Sequence, residues 1–540
     1  MKNKNPNGKM HLEIQTHRKN PIGLIRSTYR EDSKVKHQTL SRIVGLDLMQ
    51  LKLLQAALQG NVVAKSEFKI MSSKEYGASF AGIALAKELG LDKVIYSKPY
   101  EQWVKDSLAM IVGRLVNAGS KLALSKINKD SALWELCGVT DDKIDVNEHC
   151  YEAMDRLYKS QDRIQKSLAK RHLHNGSLVL YDITSSYLEG EYSDSELVEF
   201  GYNRDKKRGH EQIVISLLCS KEGCPIAIEV FAGNTKDEST VTLKIKEIKE
   251  KYSIDSIIFV GDRGMVTKAQ YDKIDHQTVK TISALTHNNI KTLCEKEVVQ
   301  LSFFDEKNIV EVDDPENKDV RYCLCKNPMM TEKEGKTRQA LLDKTAEKLN
   351  KIASSTRKCK DSKAVRLGKV INKYNMAKFV IYSIENDVLT WSFDNEKIAS
   401  EAVLDGCYII YTDVPANEMN AAEVVKSYKS LIKVEQAFRS LKTTKLEIRP
   451  IYHKTDDRIK CHVFICMLSY YLMWNMKQRL KPLFEWDAEG KNRTYSFDYI
   501  IQRLKSIRSE TYDFNGVSGK IITTCDDEQQ RIFELLKINL

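Results

Sequence analysis

Residues 421–442 carry the pattern that most restricts how this chain can fold. Their apolar residues recur at intervals close to three and four, which predicts one amphipathic helix. These residues are Val424, Val425, Leu431, Ile432, Phe438 and Leu441. Glu435 falls inside the apolar stripe, and a carboxylate on the inward face of a helix is costly unless a cation or hydrogen bonds compensate for it. The pattern therefore predicts either an ion pair with Arg439, four residues downstream, or a metal ion that Glu435 shares with other carboxylates.

The chain is basic, and its positive charge is concentrated around this segment. The 540 residues are enough for about three domains, and 85 Lys and Arg against 74 Asp and Glu give a net charge of +11. Residues 426–460 hold ten Lys or Arg against four Asp or Glu, a local charge of +6. This concentration favours a phosphate-binding face over an ordinary solvated surface.

The cysteines and the apolar segments indicate a cytosolic protein. None of the twelve cysteines forms a C-x-x-C pair, so we expect reduced thiols and no structural zinc. The N-terminal segment is basic but lacks the apolar core of a signal peptide. The longest apolar run, residues 461–476, is too short to span a membrane and predicts a buried helix.

The first third of the chain is predicted to be mainly helical. Residues 22–30 and 34–44 alternate as two strands around a polar turn. Helical spacing then recurs to about residue 170, most clearly in 46–58, 74–89 and 98–117. Basic helical faces suit DNA binding, and a scaffolding role fits the same pattern equally well.

The pattern changes at Asn175-Gly176, where strands begin to dominate. Three apolar strands are followed by an amphipathic helix and two further strands. The segments are 178–187, 211–219, 225–233, 238–252, 256–262 and 279–285. Three antiparallel strands, a helix and a parallel strand are the order of a ribonuclease H-like α/β sheet.

Residues 286–404 interrupt this order and are predicted to form an inserted subdomain, mainly β. The strand 406–413 then leads back to the helix 421–442, and helices follow at 456–480 and 496–508. The predicted organisation has five parts: an N-terminal β-hairpin plus helical DNA-end-binding region, two parts of the core separated by the insertion, and a C-terminal tail. Their ranges are 1–174, 175–285, 286–404, 405–510 and 511–540.

Two acidic residues stand within or at the end of core strands, and they are candidate partners for Glu435. Asp182 interrupts the first strand and Asp262 ends the strand 256–262. Each alone fits a turn or capping residue. Together with Glu435 they would supply the carboxylate oxygens that hard divalent cations such as magnesium prefer. Such a site in a basic cleft suits phosphodiester cleavage and transfer.

These residues resemble a known family, the DDE transposases of bacterial insertion sequences. One branch carries the signature Tyr-x2-Arg-x3-Glu-x6-Lys, which Tyr428, Glu435 and Lys442 match, while Leu431 replaces the arginine. The stretches YDITSSY, GNTKDEST and VGDRGM also resemble family blocks. The long interval between Asp262 and Glu435 is similar to the β-rich insertion of that branch.

The resemblance implies a role for each matched residue. Asp182, Asp262 and Glu435 would be the catalytic acids and would bind Mg²⁺, with Mn²⁺ as a substitute. Tyr428 and Lys442 would contact DNA phosphates; a core-edge tyrosine and a solvated lysine are the alternative. The further basic candidates for DNA binding fit equally well as ion-pair partners or a solvated loop. They are Arg263, Arg439, Arg204, Lys206, Lys207 and Arg208.

The resemblance implies a metal-dependent transposase that cleaves at the ends of an insertion sequence and joins them to target DNA. Its partners would be double-stranded DNA with terminal inverted repeats, target DNA and a second copy of the chain in a homodimer. The location would be cytoplasmic and nucleoid-associated, with no membrane. Two alternatives remain: an inactive sequence-specific DNA-binding protein, and a ribonuclease H-like nuclease without strand transfer.

Overall fold

The structure is a computed structural model, and it describes most of the chain. The described residues are 10–16, 20–31, 34–59, 68–98, 101–141, 143–202, 204, 209–263, 265–300, 302, 304, 309–315, 317–356, 362–443, 445–485, 495–514 and 517–540.

The chain divides into two compact units that differ from the predicted ranges. The first unit comprises Met1–Leu157, Thr444–Glu447 and Leu468–Leu540, and the second comprises Tyr158–Thr443 and Ile448–Met467. The predicted boundary at residue 174 is therefore too late. The prediction that the C-terminal helices belong wholly to the catalytic core is wrong, because most of that segment folds with the N-terminal region.

The N-terminal region begins with a small antiparallel sheet of order β1–β2–β3. One face of this sheet packs on the helix α1, where Leu51 fills the space that Gly23 leaves beside Leu12 and Ile43. The two predicted strands are confirmed as β2 and β3, and helices dominate the rest of the region. Its elements are β1 (Met10–Gln15), β2 (Ile22–Glu31), β3 (Lys34–Ile43), α1 (Leu48–Leu58), β4 (Phe68–Glu75), α2 (Gly77–Glu88), α3 (Leu91–Ile95), α4 (Gln102–Val116), α5 (Lys121–Lys126), α6 (Leu133–Leu136) and α7 (Glu152–Lys159). The next helix, α8 (Gln161–His172), belongs to the second unit.

The core sheet of the second unit follows the predicted order. β5 pairs antiparallel with β6 and parallel with β8, while β6 pairs antiparallel with β7 and β8 parallel with β9. This is a ribonuclease H-like arrangement. Its near-continuous apolar strands are buried on both faces, as parallel strands in α/β sheets are. The elements are β5 (Ser177–Tyr187), β6 (Gln212–Ser220), β7 (Pro225–Ala232), α9 (Asp237–Glu250), β8 (Ile257–Gly261), α10 (Lys268–Tyr271) and β9 (Val279–Ala284).

The prediction that residues 286–404 are mainly β is wrong. Helices cover more of this segment than strands do, because its Lys-, Glu- and Ala-rich stretches are good helix formers with the N-caps Asn327 and Ser362. Two of its strands, β10 and β11, extend the core sheet, and β12 and β13 form a separate hairpin. The elements are α11 (His287–Glu295), β10 (Val310–Asp313), β11 (Arg321–Lys326), α12 (Pro328–Ala353), α13 (Lys363–Lys373), β12 (Val380–Glu385), β13 (Val388–Phe393) and α14 (Asn395–Ala402).

The segment predicted as one helix over 421–442 forms two helices. After β14 (Cys407–Thr412), which joins the core sheet between β11 and β9, come α15 (Ala421–Lys429) and α16 (Ile432–Lys442). At their junction the Leu431 amide donates to the Tyr428 carbonyl and the Val434 amide donates to Leu431. Bonds between residues three apart tighten the backbone locally, and the regular helix is interrupted there.

The predicted helix at 456–480 is confirmed as α17 (Asp456–Arg479). Most of its side chains from Cys461 to Met476 are buried, as the apolar run predicts. Within the described ranges, none of the helices has both the length and the apolarity needed to cross a bilayer.

The residues predicted as a C-terminal tail, 511–540, contain regular structure. The elements after α17 are α18 (Phe497–Lys505), β15 (Arg508–Phe514), β16 (Val517–Ile522) and α19 (Asp527–Leu536). β15 lies between β16 and β4 in a three-stranded sheet, and Ile532, Phe533 and Leu536 of α19 are buried. Alternation in 508–522 is weak because many side chains of both strands are half exposed.

We predict that Ile532→Ala lowers the free energy of unfolding by about 2–5 kcal/mol, the usual cost of truncating a fully buried isoleucine. Thermal unfolding of the full chain measures this. Glu534→Ala, on the exposed side of the same helix, is the control and should change stability by less than about 0.5 kcal/mol. Equal unfolding temperatures for the two variants would show that α19 does not pack on the rest of the first unit.

Candidate functional site

Asp182 and Asp262 lie side by side because their strands are parallel and in register. Tyr181 of β5 is paired with Gly261 of β8, so each aspartate directly follows one member of the same pair. Successive side chains of a strand point to opposite faces, so the two aspartates share one face of the sheet. The continuous apolar runs before each aspartate set this register, and the pairing brings two carboxylates together.

The Asp182 carboxyl lies in an environment that disfavours its charge. Its pKa is raised to about 7, and burial is the largest cause. The negative charges of Asp262 and Glu435 act in the same direction. The Ile183 amide, which donates to Asp182 Oδ1 at 2.8 Å, and the Arg204 guanidinium oppose this effect. A cation held between the aspartates would relieve the cost of ionising Asp182.

Tyr428, near the end of α15, reaches the second aspartate. Its hydroxyl donates to Asp262 Oδ1 at 3.1 Å. Burial and the negative charge of Asp262 raise the pKa of Tyr428 above its usual value, so the hydroxyl keeps its proton and remains a donor. α15 packs on β8 and β9, which brings Tyr428 to the end of β8.

Glu435 is exposed, so the prediction that it lies on the inward face of its helix is wrong. The buried residues of α16 are Val434, Ala437, Phe438, Ser440 and Leu441, while Ile432 is 54% exposed. Because the helix is interrupted between α15 and α16, the buried face of α16 does not continue that of α15. The prediction of one helix assumed a single buried face throughout. The predicted alternative for Glu435 is absent as well, since among the described residues it forms no ion pair with Arg439. α16 packs on β5 and β6, and the charge of Glu435 reaches Asp182.

The three acids are hard oxygen donors, and this donor set fits magnesium. Asp182 and Asp262 fit a shared cation because they stand on adjacent strands and Asp182 resists ionising alone. Within the described part of the chain, however, no three His, Cys, Asp or Glu side chains lie close enough together to hold one metal ion. The third acid therefore does not complete a cation cage in this structure.

Lys442 and Arg204 both reach Ser185, three residues beyond the first aspartate. Lys442 Nζ donates to the Ser185 carbonyl at 2.6 Å, and the Arg204 amide donates to Ser185 Oγ at 3.0 Å. The Arg204 guanidinium forms an ion pair with Asp237 at the start of α9. In this structure both cations therefore have protein partners beside β5.

The other predicted basic residues differ in their placement. Arg263 and Arg439 are exposed, and the Arg263 charge acts on Tyr428. Lys206, Lys207 and Arg208 lie outside the described residues.

The position where the family signature has arginine lies at the junction of α15 and α16. Leu431 is buried there and presents no charge to the site. Lys433 does not replace the arginine, because its Nζ donates to the Lys221 carbonyl at 2.7 Å. Gly223, whose φ is +88°, lies close against Lys433 in the same turn between β6 and β7.

Ser185 and Asp237, which bind Lys442 and Arg204, were not identified by the sequence analysis. Both lie inside stretches quoted for the resemblance, YDITSSY and GNTKDEST. Ser185 is a serine in a strand, and Asp237 has the pattern of a helix N-terminal acid. Nothing in the local sequence distinguishes either of them from an ordinary strand or capping residue.

We predict that Lys442→Met destabilises the chain by about 1.5–3 kcal/mol, because it removes a charged hydrogen bond between α16 and β5. The matched control is Arg439→Met, an exposed cation on the same helix, which should leave the unfolding temperature nearly unchanged. Thermal unfolding of both variants measures the difference. If the two variants unfold at the same temperature, the contact of Lys442 with Ser185 does not hold α16 in place.

Comparison with known proteins identifies the family. The sequence model of the family described as "Transposase DDE domain" matches residues 173–472, more than half of the chain. No curated protein sequence matches the chain. A piggyBac transposase, solved by cryo-EM as a synaptic complex with hairpin DNA, is a distant structural neighbour with a TM-score of 0.36 and 8% identity over 79% of this chain and 76% of that one. Transposases of this type act on DNA and depend on divalent metal ions. The chain belongs to the transposase DDE domain family and is a DDE-type transposase, a polynucleotidyl transferase.

Proposed function

We propose that Asp182, Asp262 and Glu435 are the catalytic acids of this transposase. The observation that carries the proposal is the pairing of Tyr181 with Gly261, which sets the two aspartates next to each other on one face of the core sheet. The electrostatic effect of Glu435 on Asp182 supports the third assignment. The exposure of Glu435 leaves its carboxylate free to turn toward an incoming ion and DNA.

These acids would hold Mg²⁺, with Mn²⁺ as a substitute. Bound divalent ions would lower the pKa of a water or 3′-hydroxyl nucleophile and stabilise the leaving oxygen. The chain's own part is to position the ligands: β5 and β8 hold the aspartates, and the Tyr428 hydroxyl orients the Asp262 carboxylate through its hydrogen bond.

The basic residues near these acids would bind DNA phosphates. Arg263 and Arg439 are exposed and can meet a phosphate without first breaking an ion pair to any residue that the structure describes. Tyr428, Lys442 and Arg204 have protein partners here, so a phosphate would replace or share those contacts. The loop residues Lys206, Lys207 and Arg208 complete the proposed set.

The DNA partners would be the terminal inverted repeats of an insertion sequence and a target duplex. We propose that the N-terminal region recognises the repeats and that a homodimer holds two ends together, in the cytoplasm at the nucleoid. The net charge of +11 supports a polyanionic partner. An inactive DNA-binding protein would not need two paired aspartates on one face of the core sheet. A simple nuclease would cleave without joining ends, which a strand-transfer assay distinguishes.

We predict that Glu435→Gln keeps DNA binding but loses end cleavage by at least about a thousand-fold, equivalent to ~4 kcal/mol of lost stabilisation. Cleavage of an end-labelled duplex by purified protein measures this. Glu418→Gln removes an exposed charge just before α15 and should cleave like the wild type. Cleavage that survives in Glu435→Gln would refute the assignment of the third acid.

We also predict that EDTA abolishes cleavage and strand transfer while leaving DNA binding within about two-fold. Added Mg²⁺ or Mn²⁺ should restore both reactions, because carboxylate sites accept either ion. Gel assays of cleavage and binding on the same samples test this. Cleavage that continues at full rate in excess EDTA would contradict a metal-dependent site.

A further inference from the structure

The hairpin of β2 and β3, which we call the N-terminal ribbon, is exposed to an unusual degree. Every residue of β3 from Lys34 to Arg42 is exposed, although alternate side chains of a strand point to opposite faces. No other part of the described chain therefore covers β3 on either face. Among the described strands only β2 pairs with it, so β3 is an edge strand of its sheet.

The two faces of the ribbon differ in chemistry. One face continues the apolar surface that packs on α1 around Leu51. The other face carries mainly polar and cationic side chains, with two apolar ones, and they pair across the strands. From the tip inward these are Arg30 with Val35, Thr28 with His37, Arg26 with Thr39, and Leu24 with Arg42.

Hydrogen bonds order the middle of this polar face. Thr28 Oγ1 lies 3.1 Å from His37 Nδ1 and 3.4 Å from His11 Nδ1 of β1. Arg26 forms an ion pair with Glu13 of β1. The polar groups are thus held in fixed positions across three strands, which lowers the conformational cost of binding a partner.

The ribbon is basic. It carries Arg26, Arg30, Lys34, Lys36 and Arg42 against Glu31 at the end of β2 and Asp32, the next residue in the sequence. Arg30 and Arg42 form no ion pair with any described residue. Such a surface complements a polyanion. It opposes edge-to-edge pairing with a second copy of β3, because charged edge strands repel one another.

The two arginines stand farther apart than the major groove of duplex DNA is wide. Arg42 lies opposite Leu24, six residues from Arg30 along β2, or about 20 Å at ~3.3 Å per residue. The major groove is about 12 Å wide and admits a two-stranded ribbon. In a ribbon lying in that groove, Arg30 and Arg42 would stand at its two sides, and His37 and Thr39 would lie between them.

We propose that the N-terminal ribbon binds duplex DNA by lying in the major groove, with Arg30 and Arg42 on phosphates at either side. The proposal rests on the proposed function, in which the N-terminal region recognises the ends of the element. It assigns that recognition to a sheet face, where the sequence analysis assigned it to basic helices.

The test is DNA binding by the full chain carrying Arg30→Ala and Arg42→Ala, measured by fluorescence anisotropy in EDTA over a range of salt. Two probes are used: a duplex of the element's end and a scrambled duplex of equal length. Loss of two phosphate contacts should weaken binding by about ten-fold or more at 0.1 M salt and reduce the salt slope by about 1.8. Arg30→Lys with Arg42→Lys should keep the wild-type slope.

The matched control is Lys126→Ala with Lys129→Ala, which removes two exposed charges from the helical part of the same region. It should bind like the wild type. Equal affinity of the arginine double variant and the wild type would overturn the proposal while leaving the proposed transposase site intact. A larger loss of affinity in the lysine control than in the arginine variant would do the same. If the wild type binds both probes with equal affinity and the arginine variant loses affinity for both, the ribbon binds DNA but does not recognise the end of the element. A wild-type chain that binds neither probe would overturn both.

Discussion

The parallel pairing of β5 with β8 is the constraint on which the candidate site depends. The pair Tyr181–Gly261 fixes the register, and a shift of one residue would turn either aspartate to the other face of the sheet. The register is held by apolar runs that are buried on both faces, so the hydrophobic core itself determines how close the two carboxylates come. The cost of that placement falls on Asp182, because burial raises the pKa of its carboxyl to about 7.

The third acid is held differently from the first two. Asp182 lies in β5 and Asp262 directly follows β8, whereas Glu435 lies in the first turn of α16, just after the junction with α15. The junction places Tyr428 and Glu435 on separate helices, and Tyr428 is the residue that bonds to Asp262. Within the described residues, Glu435 does not join the two aspartates in a group close enough to hold one metal ion.

The parts of the fold that could be predicted from the sequence are those whose pattern comes from one physical effect, the burial of apolar side chains. The strands β5, β6 and β8 are continuous apolar runs, and Asp182 and Asp262 stand out because they interrupt or end such runs. The junction at Leu431 could not be predicted, because apolar residues continue across it and only three-residue backbone bonds reveal it. A charged helix near 336–353 could be predicted and is part of α12, but the other helices of the insertion and the strands β15 and β16 were missed, since half-exposed polar segments show weak periodicity. Contacts such as Lys442 with Ser185 depend on tertiary placement alone.

The central claim is that the aspartate pair binds a divalent ion, and Mn²⁺ binding followed by electron paramagnetic resonance tests it most directly. The account predicts that Asp182→Asn and Asp262→Asn each weaken Mn²⁺ binding by more than about ten-fold, since each removes a charged ligand. Asp272→Asn, an exposed acid in the segment after β8, should bind like the wild type. Unchanged Mn²⁺ affinity in both the Asp182 and the Asp262 variants would contradict the account.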